Sequence, residues 1–252
     1  MEMVIISFIN IKGGVAKTIS AVNVAAELGK SGKSVLLIDL DPQANATKNL
    51  NCYDPKGLST YEMLKGEMTD IKYTGFENVY LMPSNIKLIL SESEILTDTK
   101  RSRELRLKKY LRNMEFEYDY VIIDCPPSLG ILSTNALAAS DYVLVPVKID
   151  MFALDGFEYL LSSIEEIREE FNPSLNLLGI FITMDRATTI NREIKEELRN
   201  SLGDKLFKTS IRENVDVIKS TFNLMPVVYF NRRANATRDY KALVKEIEEC
   251  LI

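Results

Sequence analysis

Short runs of apolar residues alternate along the chain with longer stretches in which apolar positions recur at helical spacing. The runs carry few polar residues at every second position, as expected for strands that are buried on both faces. Strands alternating with helices are typical of a parallel sheet, because every parallel crossover needs a long connecting segment. The predicted strands are residues 4–10, 35–39, 79–83, 120–124, 142–147 and 177–183.

The stretches between these runs predict helices with one apolar face. The predicted helices are residues 18–31, 102–114, 132–139, 154–171, 191–202 and 237–251. Segment 45–75 is polar with scattered tyrosine and methionine, and we expect a loop-rich excursion there with one short helix at 60–64. No repeat or linker divides the chain, so we expect residues 1–252 to form one domain. The expected fold class is α/β, a mostly parallel twisted sheet with helices on both faces.

Composition narrows the classes of protein that fit this pattern. The 252 residues are 46% hydrophobic and 27% charged, which is ordinary for a soluble globular chain. No apolar run approaches the roughly 18 residues of a membrane span, and the N-terminus has no secretory pattern. Cys52, Cys125 and Cys250 are far apart and histidine is absent, which argues against a disulfide framework and a zinc site. We therefore expect a cytoplasmic protein with no membrane partner.

The first predicted strand runs directly into a loop with the sequence KGGVAKT at residues 12–18. Gly13 and Gly14 allow backbone N–H groups to turn inward at low steric cost. Lys17 can reach the β- and γ-phosphates of a nucleotide, and the hydroxyl of Thr18 suits Mg²⁺. The helix that follows presents its positive N-terminal end to the same anion. These features predict a phosphate-binding loop.

Two further motifs follow strands at the edge of the sheet where ligands bind: residues 36–43 read LLIDLDPQ, and residues 120–128 read YVIIDCPPS. The loop at 12–18 departs from the generic P-loop pattern, since Ile11 and Ala16 stand where glycines are expected. Together, however, the three motifs closely resemble the deviant Walker A, A′ and Walker B motifs of ParA-type partition ATPases. The resemblance covers nearly the whole chain. It implies a P-loop NTPase-like fold, with ATP and Mg²⁺ as ligands.

The resemblance also implies a role for each residue of these motifs in a slow hydrolysis of ATP. Lys17 and the loop amides neutralise charge on the phosphates, and Asp41 holds the attacking water. Thr18 and Asp124 bind Mg²⁺, with Asp39 in its water shell. The residues expected to bind the nucleotide are Lys12, Gly13, Gly14, Val15, Ala16, Lys17, Thr18 and Ile19.

Lys12 distinguishes this family from other nucleotide-binding loops. In the resembled family this first lysine crosses a dimer interface to the nucleotide of the other subunit, where it acts as an arginine finger does elsewhere. We therefore expect a homodimer that forms on ATP binding, with Lys12 and Lys17 both taking part in catalysis.

The resemblance extends beyond the three motifs. Residues 129–155 are similar to the family's stretch after Walker B, with Asp150 where a glutamate is expected. Segments around Asp185 and Arg212 are similar to those that line the adenine end of the nucleotide site, so both residues are expected to contact the nucleotide.

Two departures from the family pattern are expected to weaken ATP binding. Ala16 stands where the family has glycine, and a positive φ at that position costs an alanine on the order of 1 kcal/mol. Ile19 stands where a second threonine contacts the α-phosphate, so a hydrogen bond worth roughly 0.5–1.5 kcal/mol is missing. We expect binding that is intact but weaker than is typical, and slow hydrolysis.

The function that the resemblance implies is DNA segregation by an ATP-bound dimer that binds DNA without sequence preference, at the nucleoid, until a ParB-type centromere-binding adaptor stimulates hydrolysis. Net charge is −5, so DNA binding must depend on local basic clusters. The candidate DNA contacts are Lys205, Lys208, Arg232, Arg233, Arg238 and Lys241. No helix-turn-helix precedes the first strand, so operator-specific repression is not expected.

Rival interpretations remain open from the sequence. A MinD-like positioning ATPase that cycles on a membrane needs a basic amphipathic C-terminal helix, whereas residues 245–249 are net acidic. An iron–sulfur protein needs paired cysteines, and a dinucleotide-binding oxidoreductase needs a third glycine in the loop. A nucleotide-dependent scaffold with little turnover is compatible with Ala16 and Ile19.

Overall fold

The computed structural model describes residues 3–114, 117–149 and 156–251. The strands are β1 (Val4–Phe8), β2 (Val35–Asp39), β3 (Lys72–Tyr73), β4 (Val79–Met82), β5 (Tyr120–Asp124), β6 (Tyr142–Lys148), β7 (Asn176–Asp185) and β8 (Leu206–Arg212). They form one sheet in the order β3-β4-β2-β5-β1-β6-β7-β8. Every neighbouring pair is parallel except β3 and β4 at one edge. The α/β fold class expected from the sequence is confirmed.

Helices connect the strands and cover both faces of the sheet. They are α1 (Lys17–Lys30), α2 (Asn45–Asn49), α3 (Thr60–Leu64), α4 (Leu88–Thr97), α5 (Arg106–Arg112), α6 (Ile131–Ala139), α7 (Phe157–Glu170), α8 (Thr189–Leu202), α9 (Val215–Phe222), α10 (Val227–Phe230) and α11 (Asn235–Cys250), with one 3₁₀ turn at Gly203–Lys205. In the described part of the chain, none of them combines the length and apolarity needed to cross a bilayer.

Two apolar cores lie on opposite faces of the sheet, because successive strand residues point to opposite sides. Ile5 packs into one core with side chains of α3 to α8. Ile6 packs into the other with side chains of α1, α2, α10 and α11. The apolar stripe of α11 supplies the second core with Tyr240, Leu243, Val244 and Ile247, all buried, and with the partly buried Leu251.

The predicted elements are present: the bounds predicted at 35–39, 120–124 and 60–64 are confirmed, and the other elements have shifted ends. Six elements were missed: β3, β8, α2, α4, α9 and α10. The helix predicted at 102–114 begins only at Arg106, because Asn135 Oδ1 accepts the Arg106 backbone N–H at 2.9 Å and so caps the helix from a distant part of the chain. The helix predicted at 154–171 is observed as α7, and Leu154 and Asp155 lie outside the described residues.

Strand β8 lies at the free edge of the sheet, and carboxylates of α11 cap its exposed backbone. Glu246 accepts the N–H groups of Lys208 and Thr209 at 2.7 and 2.9 Å. Asp239 accepts the N–H of Arg212 at 3.0 Å. These contacts replace the hydrogen bonds of a further strand, and so protect the edge against pairing with another chain.

Candidate functional site

The loop between β1 and α1 adopts the backbone that the sequence suggested. Gly14 has φ of 73°, and Ala16, which directly precedes α1, has φ of 58°. The expected strain condition therefore holds, because an alanine occupies a left-handed conformation that glycine adopts at less cost. The N-cap residue Ala16 provides no side-chain acceptor, so the positive end of α1 faces the loop without a cap from that residue.

Substitution of Ala16 by glycine is expected to stabilise the ligand-free protein. Removing the methyl group relieves a left-handed alanine, and we expect the free energy of unfolding to rise by about 0.5–1 kcal/mol after the greater freedom of glycine in the unfolded chain is included. Thermal denaturation measures this as a rise of roughly 1–4 °C. Ala21→Gly, within α1, is the matched control and is expected to lower stability instead. A fall in stability for Ala16→Gly contradicts the assignment of strain.

Two buried polar residues that the sequence analysis did not single out hold the loop in place through hydrogen bonds. Asn10 donates from its side-chain amide to the Pro146 carbonyl at 2.8 Å and accepts the backbone N–H of Lys12 at 2.9 Å. The Thr183 hydroxyl donates to the Val15 carbonyl at 3.0 Å. Asn10 lies two residues after β1 and Thr183 lies within β7, and a single polar residue near the end of an apolar run is the signal in the sequence that marks each of them.

Lys17 lies within a group of buried carboxylates. Its side chain is 7% exposed, its ammonium nitrogen lies 3.6 Å from Asp124 Oδ1, and it also donates to the Cys125 carbonyl. Burial lowers the pKa of Lys17, but Asp124, with further contributions from Cys125, Asp41 and Asp39, outweighs burial, so the net pKa is raised. Lys17 is therefore a positive charge held ready for an anion.

Asp124 has the chemistry of a magnesium ligand. Both of its carboxylate oxygens are fully buried, and neither has a hydrogen-bond partner in the described structure. Burial raises the pKa of Asp124, and Lys17 only partly opposes this effect. Within the described residues no three acidic or thiol side chains form a complete metal site. This is expected for Mg²⁺, which usually combines one or two carboxylates with phosphates and waters.

Asp39 lies beside Asp124 because the two residues are register partners on β2 and β5. Its Oδ2 accepts both the backbone N–H and the hydroxyl of Thr47, at 2.9 and 2.7 Å, and its Oδ1 accepts the N–H of Asp41 at 3.1 Å. Burial and the neighbouring Asp124 raise the pKa of Asp39 to about 7, against the opposing effect of these hydrogen bonds. The water-shell role of Asp39 stays a prediction, since protein donors engage both of its oxygens.

Asp41 lies in the loop that follows β2 and is 6% exposed. Its Oδ1 accepts the Gln43 backbone N–H at 2.8 Å, and its own carbonyl accepts the Ser84 hydroxyl at 2.8 Å. The structure thus brings Lys17, Asp41 and Asp124 to one edge of the sheet, with the loop at 12–18 alongside.

The residues expected at the adenine end already have protein partners. Asp185 and Arg212 end adjacent strands and are register partners. The carboxylate of Asp185 accepts Lys195 Nζ at 2.6 Å, and the guanidinium of Arg212 donates to Asp239 at 2.6 Å. Their contacts with a nucleotide stay predictions.

Lys12 is followed directly by the two glycines of the loop. A Cβ added at Gly13 or Gly14 meets no atom within 4 Å, so there is open space beside these two glycines. Asp150, where the family pattern expects a glutamate, lies outside the described residues.

The candidate DNA contacts all lie on the surface. The exposed residues are Lys205, Lys208, Arg232, Arg233, Arg238 and Lys241. Arg238 and Lys241 share a face of α11 at helical spacing, and Lys245 continues that face beside Glu249, 3.4 Å away. Lys245 was not singled out from the sequence.

Comparison with known proteins gives consistent matches over nearly the whole chain. A family model described as an AAA domain matches residues 3–177. The chain is 38% identical over 248 residues to the sporulation initiation inhibitor protein Soj of Bacillus subtilis, covering 96% of this chain and 97% of that protein. It is 36% identical over 244 residues to the chromosome-partitioning ATPase Soj of Treponema pallidum, covering 95% of each.

A solved structure shares the fold. The cobyrinic acid a,c-diamide synthase of Mycobacterium smegmatis, with bound ADP and magnesium, superimposes with a TM-score of 0.83 at 31% sequence identity, covering 96% of this chain and 93% of that one. Its sheet and helices therefore match those described above over almost their full extent.

Proposed function

The chain belongs to the Soj/ParA family of chromosome-partitioning ATPases, and from this membership we propose that residues 1–252 act as one domain that couples ATP hydrolysis to DNA segregation. The observation that carries the proposal is the buried cluster of Lys17, Asp41 and Asp124 beside an open, glycine-bearing loop. A buried ammonium is suited to phosphate oxygens, and buried carboxylate oxygens that have an ion-pair partner but no hydrogen bond within the described residues are suited to a metal ion.

In the proposed reaction, ATP is bound through its phosphates. The loop amides and Lys17 neutralise charge on the phosphates, while Thr18 and Asp124 hold magnesium. Magnesium held by Thr18 and Asp124 would offset the negative charge that develops on the phosphate oxygens. Asp41 orients the water that attacks the γ-phosphorus. Lys17 gains phosphate partners in place of the Cys125 carbonyl, so ATP capture reorganises the ligand-free contacts of this side chain.

Dimerisation completes the proposed site. Lys12 of one copy reaches the nucleotide of the other, and the open space at Gly13 and Gly14 lets the two loops approach closely. Hydrolysis then depends on pairing, and pairing depends on ATP, so the dimer fraction follows protein concentration by mass action.

ATP titration with Mg²⁺ is the direct test of the proposal. We expect saturable binding, weaker than in relatives with glycine and threonine at the positions of Ala16 and Ile19, and slow turnover that DNA and a ParB-type adaptor stimulate together. Absence of binding at millimolar ATP refutes the proposal. Binding without turnover under any of these conditions favours the nucleotide-dependent scaffold.

The proposed DNA surface lies in the C-terminal third of the chain. Reversing charge with Arg232→Glu and Arg233→Glu is expected to lower non-specific DNA affinity at least about tenfold and to reduce the salt dependence, because each lost phosphate contact removes a released counterion. Fluorescence anisotropy against salt concentration measures both effects. Arg103→Glu with Arg168→Glu changes net charge equally in segments on the opposite side of the sheet, and serves as control. Equal losses in both variants place the contacts elsewhere.

A further inference from the structure

Two buried hydroxyl groups hold the loop that begins with Asp41. Thr47 lies on α2, where this loop ends, and Ser84 follows β4. The two side chains are 0% and 1% exposed. Strand β4 is the direct neighbour of β2, so Ser84 lies at the same edge of the sheet as Asp39 and Asp41, and Thr47 reaches this edge from α2.

Thr47 ties the far end of the loop to its beginning. Its backbone N–H and its hydroxyl both donate to Asp39 Oδ2, at 2.9 and 2.7 Å. Asp39 Oδ1 accepts the backbone N–H of Asp41 at 3.1 Å. One buried carboxylate therefore fixes both ends of the loop, and the Thr47 hydroxyl provides one of its three hydrogen bonds.

Ser84 ties the same loop to the neighbouring strand. Its hydroxyl donates to the carbonyl oxygen of Asp41 at 2.8 Å, and its backbone N–H donates to the Thr47 hydroxyl at 2.9 Å. The Asp41 carbonyl also accepts the N–H of Ala44, whose φ of 55° lets the chain turn into α2. The hydroxyls of Thr47 and Ser84 thus link Asp39, Asp41 and β4 in one connected network.

We infer that Thr47 and Ser84 are positioning residues for ATP hydrolysis, acting through Asp39 and Asp41. The inference rests on the proposed role of Asp41 in holding the attacking water. Hydrogen bonds in a buried network define one geometry, because each unmade bond leaves a desolvated polar group. Misplacing a group that orients a reactant by about 1 Å costs up to roughly 100-fold in rate. Neither hydroxyl belongs to the loop at 12–18, so we expect ATP binding itself not to depend on them.

The test separates turnover from binding. Thr47→Val keeps the side-chain shape but removes the hydroxyl, and we expect kcat at saturating ATP to fall roughly 10- to 100-fold while the Kd for ATP stays within about twofold. Thr47→Ser restores the hydroxyl and is expected to keep kcat within about threefold of the parent protein. Ser84→Ala is expected to lower kcat about tenfold. Ser91→Ala removes another buried hydroxyl, one that donates to the Leu88 carbonyl at 2.6 Å on α4, and leaves kcat unchanged.

Several outcomes overturn the inference. It is wrong if Thr47→Val and Ser84→Ala keep the parent kcat, if Thr47→Ser is as slow as Thr47→Val, or if the Kd for ATP rises as much as kcat falls. Should Thr47→Val not fold, Thr47→Ser and Ser84→Ala carry the same test. Asp41→Asn distinguishes the two levels: full turnover in that variant refutes the role of Asp41 and the inference with it, whereas loss of turnover in Asp41→Asn alone refutes only the role of the two hydroxyls.

Discussion

Replacing Lys12 by alanine is expected to abolish DNA- and adaptor-stimulated ATP hydrolysis, with a loss of roughly 10³-fold or more, while one protomer still captures ATP. The physical reason is that we expect the two lysines to act at different steps. Lys17 is buried against Asp124 within its own chain, so we expect it to bind ATP without a second copy. Lys12 precedes Gly13 and Gly14, beside which there is space for a second copy to approach, so we expect its charge to act across the interface.

Two measurements check this expectation on the same samples. Phosphate release under stimulation reports turnover, and sedimentation with and without ATP reports the dimer. Direct ATP titration should give a Kd for Lys12→Ala within about threefold of the parent protein, as expected for an interaction made mainly in the assembled site. Lys56→Ala, which removes a lysine from an exposed loop, is the control. Undiminished dimerisation and turnover in Lys12→Ala rule out the role of Lys12 across the interface.

Much of the sheet was predictable because strands buried on both faces are written as apolar runs. Strand β8 was missed since it lies at the edge, and its sequence mixes apolar residues with Lys208, Thr209 and Ser210. What stabilises its free edge is Glu246, which is remote in sequence. Helix α4 was missed for a related reason: several of its apolar side chains are exposed, so apolar positions there do not mark one buried face.

The motifs of the candidate site were predictable from the sequence, whereas the residues that hold those motifs in place were not. Because parallel strands end at one edge, the sequence alone indicated that Lys17, Asp41 and Asp124 converge. Thr47 and Ser84 could not be found in this way, since the contact of Ser84 with Asp41 requires that β4 pair with β2. The register of a sheet is a tertiary property that local sequence patterns do not encode.

The two buried carboxylates of the site, Asp39 and Asp124, lower the stability of the ligand-free protein when they are ionised. Asp39 and Asp124 are adjacent and fully buried, and burial raises the pKa of both, that of Asp39 to about 7. Between the ordinary carboxyl pKa and this raised value the folded state binds more protons than the unfolded state. The contribution of this pair to stability therefore falls as pH rises from about 4 towards 7 and is lowest above that range. Such like-charge pairs are retained where function requires them.

Asp124→Asn is accordingly expected to stabilise the ligand-free protein and to inactivate it. Removing one of two adjacent buried charges lowers the free-energy cost of ionising Asp39. Lys17 still has the carboxylates of Asp39 and Asp41 nearby. We expect a gain of about 1–3 kcal/mol at pH 8, a smaller gain at pH 5, and a flatter stability–pH curve by chemical denaturation.

The same variant loses its negative charge at the proposed metal position, so magnesium should no longer tighten ATP binding, and hydrolysis should fall about 10²-fold or more. Titrating ATP with Mg²⁺ and with a chelator measures the first effect, and phosphate release measures the second. Asp119→Asn is the control. The Asp119 carboxylate precedes β5 at the end of the strand opposite to the site, where it accepts the Ser34 N–H at 2.7 Å. If Asp124→Asn is destabilised at pH 8 and keeps magnesium-dependent binding, the buried acidic pair is a structural ion-pair network and magnesium is held elsewhere.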